Sequence, residues 1–219
     1  MSIFNIIGPI MVGPSSSHTA GAVRIGAMAR KLLNDRPVSG EIYLHGSFAT
    51  TGKGHGTDRA LVAGILGMGP DDGRIPKSFQ EAEKEGFSFK IGTKNLKDAH
   101  PNTALINLVG ESGRRIHVQA SSVGGGRIVV NKIDDIEVNF SGESPTLIVH
   151  NIDQPGHVAE VTSTLAHKSV NIATMQLYRE RRGEYAVMVI ETDQAIPENA
   201  IAWLEDLDGI IKVTYFNGM

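Results

Sequence analysis

Histidines set among glycine and hydroxyl residues are the clearest candidates for chemistry in this chain. His55 lies between Gly54 and Gly56 in the segment 46–58, which reads GSFATTGKGHGTD. Imidazole is the side chain best suited to move protons near neutral pH, and neighbouring glycines let a ligand approach the backbone. The pattern indicates a general acid or base. A flexible glycine turn with a solvated histidine has the same composition.

A second histidine, His18, lies in the segment 13–19, which reads GPSSSHT and precedes a helix. The apolar residues at helical spacing are Ile25, Met28, Ala29, Leu32 and Leu33. A serine or threonine upstream would cap the first free amides of this helix. Those amides, the three serine hydroxyls and the imidazole are suited to bind an anion. A serine-rich capping turn with a surface histidine is the simpler interpretation.

Two more polar stretches follow. The segment 100–103, His-Pro-Asn-Thr, places a histidine and an amide beside a proline, which fixes a turn. The segment 121–126, SSVGGG, holds three successive glycines, which are costly to order. We predict that it is irregular, as a mobile lid, as a backbone packed against a neighbour or as a disordered loop. His117 alternates with apolar residues and is predicted to be an ordinary strand residue.

The pair Gly52-Lys53 matches part of a phosphate-binding P-loop, but the rest of that motif is missing. Ser47 stands where the first glycine belongs. Gly54 follows the lysine in place of the serine or threonine that would hold magnesium. Nucleotide binding at this segment is therefore excluded.

The composition excludes further classes. With 219 residues, 41% of them hydrophobic and 21% charged, the chain predicts a globular protein of one large or two small domains. A net charge of -3 provides no basic surface for nucleic acid, and no apolar run approaches a membrane span of roughly 20 residues. The start lacks signal-peptide features, so the cytoplasm is predicted. The absence of cysteine means that the chain supplies no thiolate to a zinc or iron-sulfur site.

The elements that position the N-terminal motifs are predicted from periodicity. Alternation over 42–48 predicts a strand, and the apolar density of 59–68 predicts a buried helix capped by Asp58. The three glycines between them are expected to adopt positive φ. Further strands are predicted at 104–109, 115–120, 127–131 and 136–140.

Residues 141–145, SGESP, indicate a linker, and the pattern beyond them changes. The order is strand, helix, two strands joined by a hairpin, a helix that begins at Pro197, and a final strand. The strands are predicted at 146–152, 171–179, 184–192 and 210–216. This βαββαβ order predicts a ferredoxin-like unit. The chain is therefore predicted to be α/β (α+β), with domains 1–143 and 144–219.

The C-terminal unit resembles an ACT domain in two segments, Asp-Gln-Pro-Gly at 153–156 and Val-Asn-Ile at 170–172. ACT domains usually pair and bind a free amino acid at the interface, so the resemblance implies a homodimer. The implied effector contacts are Asn151, Asp153, Pro155, Gly156 and, from the neighbouring copy, Asn171. The serine-binding version in phosphoglycerate dehydrogenase has His and Asn at the first two positions, so the effector's identity stays open.

Four N-terminal segments, 13–19, 52–58, 100–103 and 122–126, together resemble the β part of iron-sulfur-dependent L-serine dehydratase. With the ACT unit, the resemblance covers essentially the whole chain. It implies an N-terminal domain related to the allosteric substrate-binding domain of some phosphoglycerate dehydrogenases. It also implies a partner, a cysteine-bearing α subunit that carries a 4Fe-4S cluster. This chain would bind no cluster and be inactive alone, and a requirement for a monovalent cation stays open.

The implied reaction is elimination of water from L-serine, which gives aminoacrylate and then pyruvate and ammonia. Iron would act as a Lewis acid while a base removes the α-proton. We predict His55 as the base and His18 as the alternative, with His100 and Asn102 orienting substrate or stabilising charge. The implied substrate-binding residues are Ser15, Ser16, Ser17, Thr19, Lys53, Thr57, Asp58, Ser122, Gly124 and Gly125.

Two other classes compete with this interpretation. One is a regulatory homodimer that senses serine through its ACT unit and uses the N-terminal domain only as a ligand site. An amino-acid sensor has no need of a titrating imidazole beside glycines. The other is a metal hydrolase that uses His18, His55, Asp58 and His100. It is disfavoured because no two of these residues have the His-x-x-x-His spacing of ligands on one helix face.

Overall fold

The computed structural model describes residues 10–179 and 181–219. The chain divides into two compact units, Met1–Asp135 and Ile136–Met219. Each unit contains helices and strands, so the predicted mixed class is confirmed. The division at 143/144 stays a prediction. No helix within the described ranges is long and apolar enough to cross a membrane.

Five strands of the first unit follow one another in the order β2-β1-β3-β4-β5. They are β1 (Pro37–Leu44), β2 (Ser88–Thr93), β3 (Thr103–Gly110), β4 (Arg115–Gly124) and β5 (Arg127–Ile133). The β1–β2 pair is parallel, and the other neighbours are antiparallel. Alternate residues such as Ile42, Ile106 and Val118 are fully buried on the face that carries helix α1.

Four helices accompany this sheet: α1 (Gly21–Leu33), α2 (Gly46–His55), α3 (Thr57–Ile65) and α4 (Ser78–Glu85). Helices α1 and α3 contact each other through glycines. A Cβ at Gly26 would collide with the carbonyl of Leu61, and one at Gly64 with the carbonyl of Val23. The backbones therefore approach more closely than any larger residue allows, which fixes the position of α3 and of the residues just before it.

The segment 46–58 is helical, which corrects the predicted strand 42–48 and the predicted glycine loop. Strand β1 ends at Leu44, and the first amides of α2 find an acceptor outside the helix, because Ser47 N donates to Pro101 O at 2.8 Å. Gly52 and Gly54 lie inside α2, and only Gly46 and Gly56 in this segment have positive φ.

The predicted buried helix at 59–68 exists as α3, but its cap was predicted wrongly. Gly56 is the N-cap residue, in the left-handed conformation with φ 67°. Asp58 lies in the first turn, where its carboxylate accepts from the amide of Arg59 at 2.8 Å.

The predicted irregular segment 121–126 is also corrected. Strand β4 continues to Gly124 and turns directly into β5, with Gly124, Gly125 and Gly126 all at positive φ. Hydroxyl groups hold the extended part, because Ser121 Oγ lies 2.8 Å from Thr103 Oγ1 and donates to Asn131 Oδ1 at 2.6 Å. The glycines thus form a hairpin turn.

The second unit contains β6 (Ile136–Phe140), β7 (Pro145–Ile152), α5 (His157–His167), β8 (Ile172–Arg179), β9 (Tyr185–Thr192), α6 (Glu198–Glu205) and β10 (Ile210–Asn217). Strands β7 to β10 form an antiparallel sheet in the order β10-β7-β9-β8. This confirms the predicted ferredoxin-like unit. Pro197 is the N-cap of α6 rather than its first residue. A core that includes Leu147, Leu165 and Leu204 joins the sheet to both helices.

Candidate active site

A π-helical turn, Ser16–Ala20, positions His18 just before α1. Ser15 caps this turn, since its Oγ accepts from His18 N at 3.1 Å, as predicted for a serine upstream of the helix. The turn contacts α2, α3 and β4. Short π-helical segments often mark functional sites. Here the turn directs the His18 ring towards α2.

The two predicted bases lie beside each other. The ring centroids of His18 and His55 are 4.9 Å apart, and the edge of Phe48 contacts His18 with a centroid distance of 5.4 Å. His55 is the last residue of α2. Thr19 Oγ1 donates to the His55 carbonyl at 3.2 Å and so ties the π-helical turn to the end of that helix.

The hydrogen bonds of His18 define its tautomer. Thr51 Oγ1 donates its hydrogen to Ser47 O at 2.8 Å, so at His18 Nε2, 3.0 Å away, it accepts. Ser47 Oγ lies at the same distance from Nε2. Nε2 therefore carries the proton, and Nδ1 faces the hydroxyl of Ser15 at 3.4 Å. Both nitrogens of this ring have partners within the chain.

The charge state of His18 follows from its surroundings. Burial lowers the pKa of His18 below its usual value, the neighbouring His55 lowers it further, and a hydrogen bond that the ring donates to the backbone of Ser47 opposes the shift. A lowered pKa keeps the ring neutral at neutral pH. The neutral ring can then lie beside a second imidazole without charge repulsion.

The ring of His55 forms no comparable hydrogen bonds within the described residues. Its Nδ1 is buried without a hydrogen-bond partner, and neither ring nitrogen forms a hydrogen bond to the residues described. Such an atom is rare in a folded protein and calls for an explanation such as a catalytic role. His55 is thus the imidazole that remains available to a ligand.

Two more predicted residues carry buried hydroxyls without a partner. Thr57 Oγ1 and Ser122 Oγ are both enclosed and unbonded in the described structure. Ser122 fits only because residue 21 is glycine, as a Cβ there would collide with its hydroxyl. The fully buried position of Ser122 differs from the predicted role in a closing segment.

The loop at 100–103 is joined to two of the other motifs by backbone hydrogen bonds. Pro101 O accepts from the start of α2, and Asn102 O accepts from Ser122 N at 2.9 Å. His100 turns towards its own loop, because its Nδ1 accepts from Asn102 N at 3.1 Å. The structure therefore brings together the segments 13–19, 46–58, 100–103 and residue 122.

Other predicted contacts are placed less directly. Gly124 and Gly125 lie in the β4–β5 turn, where Arg24 Nη1 donates to Gly126 O at 3.0 Å. The side chains of Ser16 and Ser17 form no hydrogen bond to any described residue and remain available to a ligand. The side chain of Lys53 lies outside the described part of the structure.

The sequence analysis missed Ser47 and Thr51. They lie four residues apart, so both face His18 from one side of α2. Recognition of 46–55 as a helix would have revealed that pair.

The donors present do not fit an iron-sulfur cluster. The chain has no cysteine, and in the residues described no group of three or more His, Asp or Glu is placed to hold a metal ion. The four residues of the metal-hydrolase alternative, named above, form no such group either.

In the second unit, two implied effector residues already have partners. Asp153 Oδ2 accepts from Gly183 N at 2.9 Å and from Arg179 Nη1 at 2.8 Å, and these bonds lower the pKa of Asp153. Asn171 Nδ2 donates to Asp193 Oδ2 at 2.6 Å. Asn151 keeps its Oδ1 buried without a partner, and Gly156 precedes α5 at φ 111°. Pro155 is exposed between them.

Comparison with known proteins identifies the family. The model described as "Serine dehydratase beta chain" matches residues 2–86, and that of the ACT domain matches residues 145–209. The "Probable L-serine dehydratase, beta chain" of Bacillus subtilis (strain 168) is 41% identical over 97% of this chain and 96% of that protein. The chain belongs to the serine dehydratase beta chain family.

A second relative of this beta chain, the "L-serine dehydratase, beta chain" of Peptoniphilus asaccharolyticus, is 41% identical over 90% of each chain. The D-3-phosphoglycerate dehydrogenase of Methanocaldococcus jannaschii is 30% identical over 51% of this chain and 21% of its own length. The predicted resemblance and the ACT domain are therefore confirmed. The matched region 2–86 of the beta chain contains both paired histidines, whereas His100 and Ser122 lie beyond it.

Proposed function

We propose that this beta chain forms, with a cysteine-bearing α subunit, an L-serine dehydratase that converts L-serine into pyruvate and ammonia. The names of its relatives, L-serine dehydratase beta chains, support the reaction. The observation that carries the catalytic part is the imidazole pair, in which both nitrogens of His18 have partners and the ring of His55 has none among the described residues. A subunit that only sensed an amino acid would have no need of this arrangement.

The cofactor in this proposal is a 4Fe-4S cluster on the α subunit, since this chain has no thiolate. When bound, the cluster would supply a Lewis acid that makes the serine hydroxyl a better leaving group. The beta chain contributes proton transfer and substrate orientation.

His55 is proposed to accept the α-proton at Nε2, because Nδ1 is enclosed by protein. The α-proton of an amino acid is weakly acidic, so the base must be well placed. Neutral His18 adds no positive charge beside His55 when the latter becomes protonated. The two ring centroids are 4.9 Å apart, so the rings are in contact when His55 takes up the proton.

The substrate carboxylate is proposed to bind at Ser16 and Ser17, which have free hydroxyls. Ser15 contributes less directly, as its hydroxyl caps the turn and faces His18. Thr57 and Ser122 offer buried hydroxyls that have no partner among the described residues. Thr19, Asp58, Lys53, His100 and Asn102 keep their proposed roles in holding the site or the substrate.

Further parts of the proposal concern assembly. The ACT domain is proposed to pair two copies and to bind an amino acid, with L-serine as the first candidate. The domain boundary at 143/144, a location in the cytoplasm and the inactivity of the isolated chain belong to the same proposal.

The test is anaerobic mixing of this chain with a co-expressed α chain, followed by an assay for pyruvate from L-serine. Each chain alone serves as control. We expect activity only in the mixture. An inactive mixture in which this chain still binds L-serine by calorimetry would instead favour the regulatory homodimer.

A further inference from the structure

The first unit has a cavity on the face of its sheet opposite α1. It has a volume of about 570 Å³ and is lined by residues of β1 to β4. Residues such as Ile42 and Ile106 point towards α1, so their neighbours Glu41 and Asn107 lie on the opposite face. Neither paired histidine of the candidate active site lines this cavity.

One row of polar residues crosses the floor of the cavity. In the strand register, Lys90 is beside Glu41, Glu41 is beside Asn107, and Asn107 is beside His117. Adjacent strands are about 4.8 Å apart, so the row is about 14 Å long. That length exceeds the span of a small ligand, which would occupy only part of the row.

Two atoms of this row lack the partners that buried polar atoms normally have. Asn107 Oδ1 and His117 Nε2 are buried and form no hydrogen bond with the described residues. His117 Nδ1 lies 3.3 Å from Asp135 Oδ1, and in the neutral ring it is the nitrogen that carries the proton. Nε2 is then an acceptor, as is the amide oxygen beside it. Two neighbouring buried acceptors call for a donor such as an ammonium group.

The same cavity holds two cations without a protein partner. Lys90 and Arg115 line it, and neither forms a hydrogen bond or ion pair with another described residue. Arg115 lies two residues before His117 on the same strand face, at about 7 Å along the strand. The cavity thus offers a guanidinium for a carboxylate within one small molecule's length of the two acceptors.

Two acidic and two basic side chains line the cavity, and this balance of charge distinguishes between classes of ligand. Glu41 and Asp134 oppose Lys90 and Arg115. Glu41 receives a bond from Tyr43 at only one oxygen, and Asp134 accepts from the backbone of His117. A simple anion would leave the buried acceptors unpaired, and a simple cation would leave the exposed Arg115 guanidinium to solvent.

We propose that this cavity binds a free amino acid, with the carboxylate on Arg115 and the ammonium group on Asn107 Oδ1 and His117 Nε2. The site is distinct from both the imidazole pair and the ACT domain. His117, predicted to be an ordinary strand residue, then becomes a ligand contact. The proposal does not depend on the dehydratase activity, so the two can fail separately.

The test uses the ¹⁵N-labelled full chain and follows its backbone amides by NMR while each proteinogenic amino acid is added in turn. We expect at least one amino acid to shift the amides of Asn107, Arg115 and His117 in a saturable way. Arg115→Gln should weaken that binding about tenfold or more, the value of one hydrogen bond to a charged group. Arg114→Gln is the matched control, since Arg114 donates to Asn34 O outside the cavity.

Propionate, which has a carboxylate and no ammonium group, separates the ligand classes. We expect it to shift these amides far less than the amino acid does. Asn107→Leu, which removes the buried acceptor, should weaken binding as Arg115→Gln does, and unshifted amides in α1 and α3 of the first unit would show that both variants fold. The proposal is overturned if no amino acid shifts the three amides, if binding survives Arg115→Gln, or if propionate binds equally well.

Discussion

At the scale of single residues, the two imidazoles of the candidate site differ in the hydrogen bonds that their ring nitrogens form. His18 has a hydrogen-bond partner on each nitrogen and a pKa lowered by burial. His55, whose ring is in contact with that of His18, forms no side-chain hydrogen bond within the described part of the chain. This difference assigns the proposed roles: His55 exchanges the proton, and His18 is a neutral positioning residue.

The tautomer of His18 provides a direct check on that assignment. Thr51→Val removes one of the two acceptors beside the Nε2 proton and leaves Ser47 Oγ, so ¹⁵N NMR of the ring should show a partial shift towards the Nδ1-protonated form. Turnover of the reconstituted complex should fall about tenfold, the value of one hydrogen bond. Thr50→Val is the control, because Thr50 bonds only to carbonyls of its own helix. An unchanged ring spectrum in Thr51→Val would contradict the assignment.

His150 predicts how stability depends on pH. Burial, aided by the charge of Lys212, lowers the pKa of His150 from 6.5 to about 4, and the neutral ring bonds to Tyr185. Between these two values the unfolded state binds more protons, so stability rises with pH across that window and is lost as pH falls through it. The full loss is about 3 kcal/mol.

Urea unfolding followed by the fluorescence of Trp203, the one tryptophan of the chain, measures this effect. His150→Leu should flatten the curve between pH 6.5 and 4. His167→Leu, which removes an exposed histidine of α5, should leave the slope in place. Equal slopes in the wild type and His150→Leu would refute the prediction.

At the scale of elements, the close contact between α1 and α3 depends on glycines. Gly64→Ala raises helix propensity yet should lower the free energy of unfolding by about 1–3 kcal/mol, because the new methyl group meets the backbone of α1. Gly54→Ala is the matched control within α2. Nothing lies within 4 Å of its would-be Cβ, so it should stabilise by about 0.4–1 kcal/mol. Chemical denaturation measures the free energy of unfolding of both variants. A Gly64→Ala variant as stable as the wild type would show that α1 and α3 can move apart at little cost in free energy.

The elements also show where sequence reasoning succeeds. The ferredoxin-like unit was predicted nearly strand by strand because its apolar periodicity is strong. Helix α2 was missed because glycines lower helix propensity and its start depends on Pro101, a residue distant in sequence. The end of β4 was missed for a similar reason, since Ser121 is held by partners on two other strands. The candidate site residues were proposed from their motifs, whereas Thr51 was recognised only once 46–55 was known to be a helix.

At the scale of the whole molecule, the chain combines a histidine-bearing unit with an ACT domain and has no cysteine. The proposed roles of the α subunit and of the two units of this chain follow from these features. The α subunit would provide the cluster, the first unit the proton transfer, and the ACT domain the pairing and regulation. Three amino-acid sites would then exist in one chain, at the imidazole pair, the open sheet face and the ACT domain.

The central claim is that His55 is the base, and the most direct measurement is pyruvate formation by the α–β complex carrying His55→Gln, beside wild type and His18→Gln. We predict that His55→Gln lowers turnover by about 10²–10⁴-fold, as expected for loss of a general base, while L-serine still binds by calorimetry. His18→Gln should cost less, because it removes a positioning residue. Near wild-type turnover in His55→Gln would contradict the account.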